Sequence, residues 1–204
     1  MKNQLDSMYS AKSGVAGYAR DYFRHLGSIL DSLDSSAIAD FESEFQDSLD
    51  SGSTIFLAGN GGSATTSSAM ANDLGFDLLR KTTPGKTIRL VALADNNGVV
   101  TAVSNDTGYE NLFVNQLRVH FRPGDKLVVI SASGNSENLI RAAKWTREKG
   151  GKVLGLLGFD GGQLLELCDP VVHFATAPGE YGPVEDAHLI ISHVLAHWFQ
   201  NKLR

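Results

Sequence analysis

Between Val15 and Leu33 the apolar residues Val15, Tyr18, Ala19, Tyr22, Phe23, Leu26, Ile29, Leu30 and Leu33 recur at intervals of three and four. That is the spacing of one helical face and predicts an amphipathic helix. Ser35 or Ser36 offers an N-cap for a second helix, with Ile38, Phe41, Phe45 and Leu49 on its apolar side and Ser51-Gly52-Ser53 at its end. The pattern then changes. Short apolar runs rich in β-branched residues occur at 54–58, 87–93, 126–130, 152–157 and 170–174, each followed by a turn. Helical segments are expected at 63–79, 111–121, 136–149 and 184–202, with a short turn of helix near 97–103.

Strands that alternate with helices imply a parallel sheet covered on both faces, and hence an α/β fold. The two N-terminal helices precede the first strand and lie outside this winding. Residues 1–50 are therefore taken as a helical segment and 51–204 as the sheet-bearing domain, the whole forming one structural unit. The apolar faces of the first two helices must bury against this sheet or against another subunit, and we expect pairing between subunits.

Composition narrows the class. Glycine contributes 21 of 204 residues, above a usual share of roughly 7%, yet no collagen-like repeat or linker accounts for it. The net charge is −5, and no stretch is rich in Lys or Arg, so the electrostatic footprint of a nucleic-acid or anionic-membrane binder is missing. Cys168 is the one cysteine and makes no intrachain disulfide. The apolar runs fall far short of the ~20 residues that span a bilayer, and the first residues do not resemble a signal peptide. A cytoplasmic location is expected.

Two loops carry the candidate chemistry. The first strand runs into Gly59-Asn60-Gly61-Gly62-Ser63 and then a helix. At the carboxyl edge of a parallel sheet, free amides at a helix start favour an anion, and Ser63 adds a hydroxyl donor. The spacing matches neither the dinucleotide fingerprint nor a Walker loop, so an anion site and a plain tight turn both remain open for this segment. The third strand runs into Ser131-Ala132-Ser133-Gly134-Asn135-Ser136. Three serines at a helix start suit a phosphate dianion, and a serine N-cap would explain only one of them. Neither loop holds a lysine, which argues for phosphate binding without phosphoryl transfer.

G-N-G-G-S followed by S-x-S-G-N-S resembles the signature of the SIS (sugar isomerase) domain family, and more closely its phosphoheptose isomerase group. The likeness extends through Asn105-Asp106, the 158–162 turn and the C-terminal helix. It implies a three-layer αβα sandwich around a five-stranded, flavodoxin-like parallel sheet, with the N-terminal helices packing in a homotetramer whose active sites lie at interfaces. It also implies a phosphosugar substrate, sedoheptulose 7-phosphate, converted to a heptose 7-phosphate for cell-surface or related heptose synthesis. By the same resemblance Ser63, Ser131, Ser133 and Ser136 would hold the phosphate and Asn60 and Asp106 the sugar hydroxyls, with Gly61, Gly62, Asn105 and Ala132 also in the substrate site.

Aldose–ketose interconversion passes through an enediol and needs a base near the substrate α-carbon and an acid for its oxygens. The C-terminal helix carries Glu185, Asp186, His188, Ser192, His193 and His197. Glu185 and His193 lie about 80° apart around an ideal helix. The resemblance places the family's catalytic histidine at His193 and a neighbouring glutamine at Glu185. The family's histidine and glutamate on the helix after the first loop correspond to Ala69 and Asp73. These departures alter a zinc site, leaving Asp73, Glu185 and His193 as a possible three-ligand set for zinc or a harder divalent ion. They also suggest that proton transfer has moved to Glu185, with His193 as its acid–base partner and Asp73 orienting or ligating. His197 is assigned to the helix flank. The segment 178–183 also departs from the family and is expected to reshape the pocket. Two other readings stand beside this one: a catalytically silent SIS protein that binds a sugar phosphate or a protein partner, and an isomerase of a different ketose phosphate.

Overall fold

The computed structural model describes residues 2–9, 14–82 and 86–204. Five parallel strands form one sheet in the order β2-β1-β3-β4-β5: β1 (Thr54–Gly59), β2 (Arg89–Ala92), β3 (Lys126–Ser131), β4 (Lys152–Leu157) and β5 (Val171–His173). β1, β3 and all but the first residue of β4 are buried, as expected of strands covered on both faces. The helices are α1 (Leu5–Met8), α2 (Gly14–Asp31), α3 (Ser35–Ser51), α4 (Gly62–Ala71), α5 (Asp77–Lys81), α6 (Asn97–Thr107), α7 (Leu112–His120), α8 (Glu137–Glu148) and α9 (Tyr181–Lys202). The three-layer sandwich and five-stranded parallel sheet are as the sequence implies.

Alternation along the strands divides the core in two. Ile55, Leu57, Val128, Ile130, Leu154, Leu156 and Val172 face one side, where they meet Phe41 and Phe45 of α3, Leu74 and Leu78, and Ala187, Ile191 and Phe199 of α9. Phe56, Ala58, Leu127, Val129, Val153 and Leu157 face the other, against α7 and α8. α3 thus buries its apolar side on its own sheet, which corrects the expectation that both N-terminal helices reserve their faces for another subunit. The buried Lys126 ammonium fastens this layer, reaching Glu44 at 2.8 Å and Asp47 at 2.7 Å. The pattern change at residue 50 is no gap in packing. α2 packs along α9 and leaves Val15 and Phe23 exposed.

Other corrections are local. α3 is capped by Asp34, whose side chain accepts from the Ser36 amide, and not by the serines themselves. The element at 97 is an eleven-residue helix, not a short turn, capped by Asn96; its exposed, polar last turn hid it from a search for apolar periodicity. The expected helix at 63–79 is interrupted by a π turn, Asn72–Phe76, that contains Asp73. Such insertions often sit at functional sites. Among the described residues no helix is long and apolar enough to cross a membrane.

Candidate active site

The strand order reverses between β1 and β3, and the crevice beyond their carboxyl ends is where doubly wound sheets bind ligands. Gly59, the last residue of β1, is paired in register with Ile130, the penultimate residue of β3, so the two loops predicted to share one anion do emerge side by side. A cavity of about 160 Å³ lies between them, lined by Asn60, Ser63, Ser131, Ala132, Ser133, Ser136, Tyr181 and Glu185, with Ile130 and Leu139 behind. None of these residues is a cation.

Local geometry explains the loop sequences. Ser131 Oγ accepts from the Gly134 amide at 3.0 Å, which curls the second loop. Gly134 has φ +64°, and an added β-carbon would collide with the Gly161 carbonyl, so two turns meet here on a residue that must be glycine. Ser136 then occupies the N-cap position of α8, its hydroxyl making no capping hydrogen bond. Asn60 is held by a reciprocal pair with Asn138, at 3.0 and 2.9 Å, and accepts from the Tyr109 hydroxyl at 2.8 Å. Sequence reasoning missed Asn138 and Tyr109, because neither lies in a loop of recognisable chemistry. Tyr181 was covered only by the expectation that its segment departs. Its ring meets Phe159 edge-on with centroids 5.1 Å apart, and Phe159 is held at φ +47°, a conformation uncommon for a non-glycine residue.

α9 runs along α4 and the π turn. Its start is fixed by Glu180, a buried carboxylate that accepts from the Gln4 amide at 2.6 Å and lies 3.1 Å from His25 Nε2. Glu185, half-buried, lays its carboxylate directly against Gly62, the first residue of α4. Burial raises its pKa from the usual carboxylate range, with neighbouring Asp186 adding to the effect. Asp186 in turn accepts from Tyr22 at 2.5 Å. Further along, His193 Nε2 lies 3.7 Å from an Asp73 carboxylate oxygen, with the imidazole half-exposed.

The structure therefore brings Asp73 and His193 together but gives Glu185 a different place. Eight residues of helix rise about 12 Å, and each end of that stretch faces its own partner on α4 or the π turn. The proposed three-ligand set of Asp73, Glu185 and His193 does not close: among the described residues no three His, Cys, Asp or Glu side chains are placed to hold one ion. Asn105 and Asp106 lie exposed on α6, with a 2.8 Å hydrogen bond between their side chains, and do not line the cavity. His188 is fully buried against Phe174, and its pKa is pushed down to about 4 by burial. Neither of its ring nitrogens has a hydrogen-bond partner among the described residues.

A serine-lined cavity at the switch point of a five-stranded parallel sheet is the arrangement the SIS resemblance implied. A model of the SIS domain matches residues 21–158, and the chain belongs to that family. Within it the chain belongs to the phosphoheptose isomerases: it is 36% identical over 168 residues to the phosphoheptose isomerase of Rhodospirillum rubrum, covering 82% of this chain and 86% of that one. It is 35% identical to that of Aliarcobacter butzleri, over 77% of this chain and 80% of the relative. Among solved structures, the phosphoheptose isomerase of Neisseria gonorrhoeae superposes with a TM-score of 0.81 at 25% identity, over 94% of this chain and 100% of that one.

Proposed function

We propose that the protein isomerises sedoheptulose 7-phosphate to D-glycero-D-heptose 7-phosphate. The observation that carries this is the arrangement along one side of α9, with a phosphate cradle at Glu185 and a carboxylate–imidazole pair, Asp73–His193, about 12 Å further along the helix. An extended seven-carbon phosphate, with six C–C bonds of about 1.5 Å each, has a comparable span. The named activity of relatives that share a third of their residues with this chain supports the same substrate.

In this reading the loop hydroxyls and amides hold the phosphate. Asp73 takes a proton from C1 of the ketose, the electron pair forms the enediol double bond, and the proton returns at C2. His193 transfers the proton between the two enediol oxygens. Asp73 is thus the base, and the earlier assignment of that role to Glu185 lacks geometric support, because Glu185 lines the phosphate cradle. We also propose a homotetramer with sites at subunit interfaces. Val15 and Phe23 on α2 and Val194 and Trp198 on α9 offer exposed apolar surface for it.

The test is NMR observation of sedoheptulose 7-phosphate with the wild type, Asp73→Asn and Glu185→Gln, with EDTA and with added divalent metal. Turnover by the wild type, lost by about a hundredfold or more in Asp73→Asn and retained in Glu185→Gln, supports the proposal. Loss in Glu185→Gln with activity kept in Asp73→Asn would return the base to Glu185. No turnover of any ketose phosphate, together with binding in a thermal-shift assay, would assign the chain to a catalytically silent role.

A further inference from the structure

We infer that the Glu185 carboxylate is a built-in occupant of the phosphate cradle, which a bound phosphate must displace from the start of α4. This rests on the reading of the cavity as the phosphate site and adds a specificity element to it. The positive end of the ten-residue α4 dipole favours an anion, although the Ser63 and Ala64 amides at its start already donate to the Asn60 and Gly61 carbonyls at 3.0 Å. In this structure the anion there is the protein's own: the carboxylate lies so close to Gly62 that no β-carbon would fit between them. The same side chain lines the cavity with Ser63, Ser131, Ser133 and Ser136.

Two anions sharing this space repel strongly, since the site is partly removed from solvent. Nothing in the cavity wall offsets them, because its lining contains no lysine, arginine or histidine. The charged and titratable groups close to Glu185 are of the wrong kind to help. Asp186 is its neighbour on α9, and Tyr22 from α2 is committed to Asp186. Tyr181 stands at the cavity edge, and α4 contributes only Gly62 and Ser63 at this point. Glu185 therefore sets a threshold that a bare inorganic anion meets poorly. A sugar phosphate crosses it through additional contacts along its carbon chain, so the carboxylate raises selectivity for the whole substrate over free phosphate and sulfate.

The experiment uses inorganic sulfate, a dianion without a titrating proton near neutrality, and titration calorimetry at pH 8 on the intact wild type, Glu185→Gln and Glu185→Asp. Circular dichroism confirms that each variant folds. Glu185→Gln keeps the shape and removes the charge, and is expected to bind sulfate about tenfold or more tightly than the wild type. Glu185→Asp, which draws the carboxylate back from Gly62, should fall between them. The gain for sedoheptulose 7-phosphate should be smaller than for sulfate, so that selectivity narrows. Equal sulfate affinity in wild type and Glu185→Gln overturns the inference and leaves the cavity reading standing. Tight wild-type binding that requires added Mg²⁺ and disappears in EDTA also overturns it, since the carboxylate would then hold a bridging cation. No sulfate binding by any of the three proteins would overturn the cavity reading as well.

Discussion

The carboxylate of Glu185 lies against Gly62, joining the first turn of α9 to the first turn of α4 at the edge of the proposed phosphate cradle. A methyl group at residue 62 would have to push that carboxylate aside, and the carboxylate is the free end of a flexible side chain. Gly62→Ala should therefore fold normally. It should raise KM for the sugar phosphate by about tenfold through intrusion on the cradle, with kcat changed little, because Asp73 and His193 lie about 12 Å away along α9. Steady-state kinetics with thermal melting as a control checks this.

Anion binding should depend on pH through Glu185. Burial and Asp186 raise its pKa above the ordinary carboxylate value, so it takes up a proton at a higher pH than a free glutamate. The neutral acid does not repel a dianion, and sulfate affinity should rise as pH falls through that raised pKa. Asp186→Asn removes one of the two causes and should move the midpoint to lower pH. Calorimetric titrations between pH 4.5 and 8 in buffers of different ionisation enthalpy would report both the midpoint and the proton taken up.

Stability should also fall in mild acid because of His188. Its pKa is depressed to about 4 from an ordinary 6.5, so between these values the unfolded chain binds a proton that the folded chain does not. Stability is fully present above about pH 6.5 and is lost as pH falls toward 4, by about 2 kcal/mol between pH 7 and pH 5. Urea unfolding at the two pH values measures this. His188→Leu, which offers no proton site next to Phe174, should flatten that part of the pH dependence.

Metal affinity should respond to position 69. Asp73 and His193 are two donors within 3.7 Å of each other, and Ala69 lies one turn before Asp73 on the same helical path. Ala69→His would bring a third donor toward the pair, and a third donor of this kind suits zinc. Zinc titration of the variant should show affinity at least about tenfold above that of the wild type. Equal affinities would mean that residue 69 does not face the pair.

Much of the fold was legible because the signals are local. A short apolar run such as Lys152–Leu157 can satisfy its backbone and bury both faces only in the interior of a sheet, and Gly52 ends α3 in the left-handed conformation its sequence context called for. The serine and glycine loops were legible for the same reason, since their chemistry lies within six consecutive residues. The N-caps at Asp34 and Asn96 and the length of α6 were missed, because polar helix ends leave no apolar rhythm.

The amino-acid order by itself determined the alternation of strands and helices, the carboxyl-edge loops and the presence of serine hydroxyls fit for a phosphate. Tertiary structure alone decided the partners of α9. Periodicity placed Glu185 and His193 on related faces of one helix, but only packing against α4 and the π turn gave Glu185 to Gly62 and His193 to Asp73. It also turned His188 into the core and fixed Asn60 through Asn138, residues 78 apart in sequence. The reason is physical: a helix specifies the angles at which its side chains leave it, whereas the groups they meet depend on which distant elements the burial of apolar surface brings alongside.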